Sequence, residues 1–226
     1  MTSGAKTAPD RRRGNAPRRW LAAAVLGLGA LTQAAPAAAL ELGELMGLLQ
    51  EVRSGEARFT EQRLVKGLDA PLVSSGTLSF AAPDRFTRKT LAPRPESMVV
   101  EGNFITLSRN GRSRSLVLDA SPETEAIVEA VRGTLTGNAQ ALQQHFKVVV
   151  AGNAEQWTLE LLPIAPRLKV MLDSVRIAGR RAELRTVEMR MADGDRSLMQ
   201  IEPLPAAAAG SAASAAAAGA ASDKRP

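Results

Sequence analysis

Alternation of apolar and polar residues governs most of this chain. Between residues 57 and 118 it recurs in short runs, ARFTEQRLV, LVSSGTLSF, DRFTRKT, SMVV, NFITLSR and RSLVLD, separated by the turn signals Ala82-Pro83-Asp84, Pro95, Glu101-Gly102-Asn103 and Asn110-Gly111. A period of two sends successive side chains to opposite faces, so each run predicts a strand with one oily face. Strands this short and this regularly punctuated predict an antiparallel meander. Alternation returns after residue 145 in FKVVVAG, QWTLELLP, LKVMLDSVRIAG, RAELRTVEMRMADG and DRSLMQIEP, with Gly and Asp again marking the turns. A sheet of about ten strands curls as its twist accumulates, and its oily face has to close on itself or be covered by helices.

Two segments can supply that cover. Residues 40–54 place Leu42, Leu45, Met46, Leu49 and Val52 at helical spacing, with Glu44, Glu51 and Arg53 elsewhere on the surface. Residues 122–145 interrupt the strands: Ser121-Pro122-Glu123 opens a helix that carries Ile127, Ala130, Val131 and Leu135 on one side and stops near Gly133 or Gly137. A second short helix, AQALQQ, leads into Phe146. The expected fold class is mainly β with a helical lid, built on a single antiparallel sheet.

The two ends read differently. Arg11, Arg12, Arg13, Arg18 and Arg19 precede the apolar run WLAAAVLGLGAL and the small residues TQAAPAAAL, the three parts of a secretory signal peptide over residues 1–39, cleaved after Ala39. The run falls short of the about 20 residues of a comfortable membrane span, which favours cleavage over an uncleaved anchor. The Arg18-Arg19 pair leaves twin-arginine export open beside the general route. Residues 205–226 are alanine-rich and have little to bury, so the folded domain is expected over residues 40–204 and the tail is expected to be disordered or transiently helical.

Removing residues 1–39 changes the charge. Of 29 Lys and Arg and 23 Asp and Glu, six and one lie in that leader, which leaves 23 against 22, a net of +1, and takes away the electrostatic case for a nucleic-acid partner. With no cysteine in the chain, disulfides, thiol chemistry and a lipidated N-terminal cysteine are excluded. The expected location is the periplasm.

The inventory for catalysis is thin. His145 is the single histidine, so neither a histidine triad nor a multi-histidine metal site can be assembled. Glu123, Glu125 and Glu129 read as a solvated helix face, and Asp193-Gly194-Asp195 as a hairpin turn with too few oxygens for calcium. Arg109, Arg112 and Arg114 read as a solvated hairpin tip, with contact to an anionic headgroup or partner as the lesser alternative. Arg63 shares a strand face with Phe59 and Glu61, so a charge on the oily side would need a partner there, unless the strand is an edge in water.

ARFTEQ after an N-terminal helix, SGTLSFAAPDRFTRKT, SMVVEGNFITL, the insertion ending in LQQHFKV, LELLPIAPRLKVMLDSVRIAGRRAEL and MADGDRSLMQI follow one another in the order and spacing of a known family. On these segments residues 57–201 resemble the periplasmic outer-membrane lipoprotein carrier (LolA) family. The resemblance implies an incomplete, strongly curved antiparallel barrel around a hydrophobic cavity closed by helices, which binds lipoprotein acyl chains between an inner-membrane donor and an outer-membrane acceptor. It implies a lining drawn from Leu78, Phe80, Phe86, Met98, Val100, Leu107, Leu116, Trp157, Leu159, Met171, Met189 and Met199, and a lid presenting Leu45, Met46, Leu49, Ile127, Val131 and Leu135. The family's lid-latching arginine precedes the turn proline that is Pro83 here, and this chain has Ala82 there, which leaves Arg63, Arg85 or Arg88 as substitutes.

The expected function is therefore carriage of lipidated protein or long-chain lipid by a monomer, without enzymatic activity, cofactor, metal or nucleic acid. Alternatives are a lipid-sensing or interaction module, and a carrier of a glycolipid or polyene lipid for an export system.

Overall fold

The computed structural model describes residues 40–205. The expected signal peptide, and the alanine-rich tail beyond Pro205, lie outside the described residues. In chain order the elements are helix α1 (Leu42–Gln50), strands β1 (Ser54–Leu64), β2 (Leu72–Ala81), β3 (Arg85–Ala92), β4 (Glu96–Glu101), β5 (Phe104–Arg109) and β6 (Arg112–Val117), helices α2 (Pro122–Leu135) and α3 (Ala139–His145), strands β7 (Phe146–Asn153) and β8 (Gln156–Pro163), the short helix α4 (Pro166–Lys169), and strands β9 (Leu172–Arg180), β10 (Glu183–Met191) and β11 (Arg196–Pro203).

The eleven strands form one antiparallel sheet in the order β6-β5-β4-β3-β2-β1-β11-β10-β9-β8-β7, which does not close into a barrel. Every neighbouring pair but one is consecutive in sequence, β8 and β9 through a loop that holds α4. The exception, β1 with β11, joins the two halves at the centre in the register Phe59↔Ile201. The two edges, β6 and β7, are consecutive in sequence, so the segment between them, with α2 and α3, has to connect one edge of the sheet to the other.

Residues directly opposite each other share a face. Following the registers from Leu161↔Val175 through Met189↔Val175, Val187↔Met199, Phe59↔Ile201, Leu78↔Ala57 and Phe80↔Phe86 to Val100↔Ile105 traces one continuous inner face, the one on which the helices pack. The apolar residues on it form three clusters. The largest gathers Leu45, Met46 and Leu49 of α1, Ala126 and Ala130 of α2, Leu142 of α3 and Trp157, Leu159, Leu161, Val175 and Ile177 of the sheet. A small central one holds Ala57, Phe59 and Leu78, and a third holds Val100, Ile105 and Leu118 with Val128 of α2 against it.

Two glycines let this sheet bend. A Cβ on Gly76 would stand 1.9 Å from the Lys89 carbonyl oxygen, at the register shift between β2 and β3, and one on Gly179 would stand 2.3 Å from the Trp157 ring, which lies across the strand opposite. No other residue fits such close backbone approaches. The indole is fixed there by donating from Nε1 to the Arg181 carbonyl at 2.8 Å.

The helices differ in detail from the sequence reading. α1 opens on a Glu41/Glu44 capping box and stops at Gln50, so Val52 falls outside it; β1 begins at Ser54, and the Arg53 carbonyl accepts from the Ala82 amide at 2.8 Å. α2 begins on Pro122 and ends before Gly137, whose φ of 65° is a left-handed cap. Between LELLP and LKVMLD the chain forms the short helix α4, which Pro166 opens at its first position after β8 ends at Pro163.

Candidate functional site

Across β3 to β6 the inner face is ordered in three rows. Phe86, Val100, Ile105 and Leu116 stand opposite one another in the first; Arg88, Met98, Leu107 and Arg114 in the second; Thr90, Glu96, Arg109 and Arg112 in the third. Rows lie roughly 7 Å apart along the strands and neighbours within a row roughly 5 Å apart. The first row is apolar and carries the cluster that α2 touches through Val128. The third is polar and leads to the Asn110-Gly111 turn.

At the middle of the sheet, period two does place Phe59, Glu61 and Arg63 on one face. Glu61 accepts from Arg88 Nη2 at 2.5 Å, from Ser197 Oγ at 2.5 Å and from Ser74 Oγ at 3.2 Å. The Arg88 guanidinium lies 4.8 Å from the centre of the Phe59 ring, a cation–π contact on one side of the ion pair. Two polar atoms here are buried without a partner among the described residues: Arg88 Nε and Thr90 Oγ1.

The cover is unequal. On α1, Leu45, Met46 and Leu49 are wholly buried. On α2 the fully buried positions are small, Ala126, Ala130, Gly133 and Thr134, while Ile127, Val131 and Leu135 are half-buried. The small stripe lets α2 approach α3 closely, since a Cβ on Gly133 would meet Leu142 at 2.9 Å. Arg132 ties α2 to the sheet: its Nη1 donates to the Gly102 carbonyl in the β4–β5 turn at 2.7 Å, and its other nitrogen pairs with Glu129. Arg132, Glu129 and Glu125 also line a polar cleft of about 740 Å³ together with Ala82, Pro83, Asp84 and His145.

Of the twelve lining residues expected from the sequence, Leu78, Phe80, Val100, Trp157 and Leu159 lie buried on the inner face, and Phe86, Met98, Leu116, Met189 and Met199 lie half-buried there. Leu107 shares that face but is 41% exposed. Met171 sits in the turn before β9 and is 46% exposed, apart from the others. Of the three arginines considered as latches, Arg63 pairs with Asp195 at 3.3 Å, Arg85 with Glu101 at 3.5 Å, and Arg88 with Glu61, so among the described residues their ion pairs stay within the sheet and its turns. Arg132, the arginine that does join helix to sheet, was missed; the i, i+3 spacing to Glu129 was its one visible signal, and nothing in the sequence pointed to the Gly102 carbonyl.

Two carboxylates on the outside have shifted acidity. Burial pushes Glu188 up, but hydrogen bonding and charge from Arg190 and Arg196 outweigh it and hold the carboxyl below its ordinary range. Glu155 is held low by its hydrogen bond from Arg181, with Arg180 beside it, and so staples the β7–β8 turn to the β9–β10 turn.

Residues 34–224 match the family model described as outer membrane lipoprotein carrier protein LolA-like. The outer-membrane lipoprotein carrier protein of Methylibium petroleiphilum is 28% identical over 192 residues, 84% of this chain and 88% of that protein. The protein of the same name from Cupriavidus taiwanensis is 25% identical over 190 residues, 80% of this chain and 85% of its own. Among solved structures, a LolA superfamily protein from Nitrosomonas europaea covers 72% of this chain and 92% of its own at 10% identity, with a TM-score of 0.38.

Proposed function

This chain belongs to the LolA-like outer-membrane lipoprotein carrier family, and on that premise we propose that it is a periplasmic carrier which takes up the acyl chains of lipoproteins or related lipids between helices and sheet for transfer toward the outer membrane. One observation carries the reading. The inner face is continuous across the sheet, yet on its β3–β6 half Phe86, Met98 and Leu116 are only half-buried and Leu107 between them is 41% exposed, beside a cover that α2 holds with small residues. An apolar surface left open on a folded domain marks a place for another apolar body.

The energetics suit a carrier. Burial of a methylene is worth about 0.8 kcal/mol, so a chain of ~15 methylenes represents on the order of 12 kcal/mol, enough to forbid unaided passage through water. Lifting α2 off its bed costs part of that and returns it on release, so affinity is kept within what an acceptor can match. Arg132 is the latch in this reading. It lines the same cleft as Ala82 and Pro83, and Ala82 is the position at which the resemblance puts the family's arginine. The carrier domain is residues 40–204, monomeric, between a cleaved leader and the alanine-rich tail, and it works between an inner-membrane donor and an outer-membrane acceptor.

Native mass spectrometry of the protein purified without detergent is expected to show bound amphiphile, and depletion in the parent cell is expected to leave lipidated cargo at the inner membrane. A protein that emerges empty and also fails to take up a fluorescent acyl probe overturns the reading.

A further inference from the structure

The β5–β6 hairpin is built against its own stability. Arg109 and Arg112 are directly opposite each other on the inner face, and Arg114 follows two residues on, opposite Leu107. Like charges facing across a ladder repel. All three are exposed, and among the described residues none makes an ion pair; the one acid on the inner face of β3 to β6 is Glu96, opposite Arg109 but not bonded to it. Arginines on an edge strand hinder sheet-to-sheet pairing. That accounts for Arg112 and Arg114 on β6, and not for Arg109, which lies on β5, one strand in.

What the three share is their place at the end of a gradient. On the same hairpin, and on the same face, Ile105 and Leu116 lie roughly 14 Å down the strands beneath α2, with Leu107 between them and the arginines. An amphiphile laid along this face with its acyl chain at Ile105 and Leu116 brings its headgroup to the guanidinium groups. We propose that the lipid carried by this fold is anionic, with a phosphate or carboxylate headgroup held by Arg109, Arg112 and Arg114. Guanidinium forks match such groups two oxygens at a time. This rests on the carrier reading and adds to it the chemistry of the cargo's polar end.

The test compares two probes with one saturated chain, an anionic monoacylglycerol phosphate and the neutral monoacylglycerol, titrated below their micellar concentrations. The native protein is expected to prefer the anionic probe about tenfold, and the preference to shrink in molar salt. In the variant R109Q/R112Q/R114Q the preference is expected to vanish while the neutral probe binds as before; R109K/R112K/R114K is expected to keep most of it. Equal binding of both probes by the native protein overturns the headgroup assignment and leaves the carrier reading standing, whereas failure to bind either ends both. A glutamine variant that aggregates but retains the preference reduces the arginines to edge protection. Arginine-dependent pelleting with phosphatidylglycerol vesicles, without a preference between the dispersed probes, assigns the hairpin to a membrane surface and overturns the proposal as well. Inorganic phosphate that binds as tightly as the anionic probe does the same, since the acyl chain then contributes nothing.

Discussion

Glu61 and Arg88 put a charge pair on the sheet's apolar inner face, and their surroundings explain how it survives. Both carboxylate oxygens accept hydrogen bonds, and the guanidinium is backed by Phe59. Removing one member of a fully buried pair costs about 3–5 kcal/mol; with side chains 24% and 17% exposed the cost is discounted, to about 1–3 kcal/mol. Glu61→Gln is therefore expected to lower the free energy of unfolding measured by urea titration by that amount, and Glu61→Leu combined with Arg88→Met to recover most of it, because no unpaired charge is left behind. Unchanged stability in Glu61→Gln would mean that water already compensates Arg88. This site was half legible. Period two places Glu61 and Arg63 beside Phe59 and says that a charge there wants a partner. It cannot say that the partner is Arg88, because the pairing of three strands and a bend at Gly76 decide which side chains converge.

At the scale of elements, α1 and α2 cover the sheet in different ways. α1 is anchored by Leu45, Met46 and Leu49, each deep in the largest cluster, and to lift it would expose three large side chains, about 2 kcal/mol apiece. α2 rests on two alanines, a glycine and a threonine, and is held to the far half of the sheet by Val128 and Arg132. In the carrier reading α1 is thus a fixed roof and α2 the part that moves. Loss of the Arg132 contact to Gly102 removes about 1 kcal/mol from the closed state, so Arg132→Gln is expected to tighten acyl-probe binding about fivefold by raising the fraction of open protein. Calorimetric or fluorescence titration decides it, and equal affinity removes the latch. The helices themselves were readable because their caps are local: Pro122 at the start of α2, Gly137 after its end and Asn138 before α3. The inward face of α2 was legible in part: Ala130, on the expected stripe, is buried and Ile127 packs against the main cluster, but the closest approach, to α3, is made through Gly133, which a search for large apolar residues passes over.

For the whole molecule the decisive fact is an ordering that turn signals cannot supply. Each hairpin announces itself, Asn110-Gly111 most plainly, but the pairing of β1 with β11 spans most of the chain and carries no signal of its own. Once it forms, β6 and β7 become the two free edges, and the α2–α3 segment is tethered to both. In the carrier reading a segment so tethered can swing but cannot leave, and it cannot open far unless contact with one half of the sheet is given up. The contact to give up is the smaller one, Val128 against Val100, Ile105 and Leu118, since the other half holds the main core. The chain has no cysteine, so a single engineered crosslink can be read without interference. A cysteine at Val128 joined to one placed in the Val100–Ile105–Leu118 cluster is expected to abolish uptake of an acyl probe when oxidised and to restore it on reduction, with the oxidised form more resistant to denaturation by about 2–4 kcal/mol. Oxidised protein that takes up the probe as well as the reduced form would show that cargo enters without α2 leaving the β4–β5 wall, and the lid would then have to be sought elsewhere among the helices.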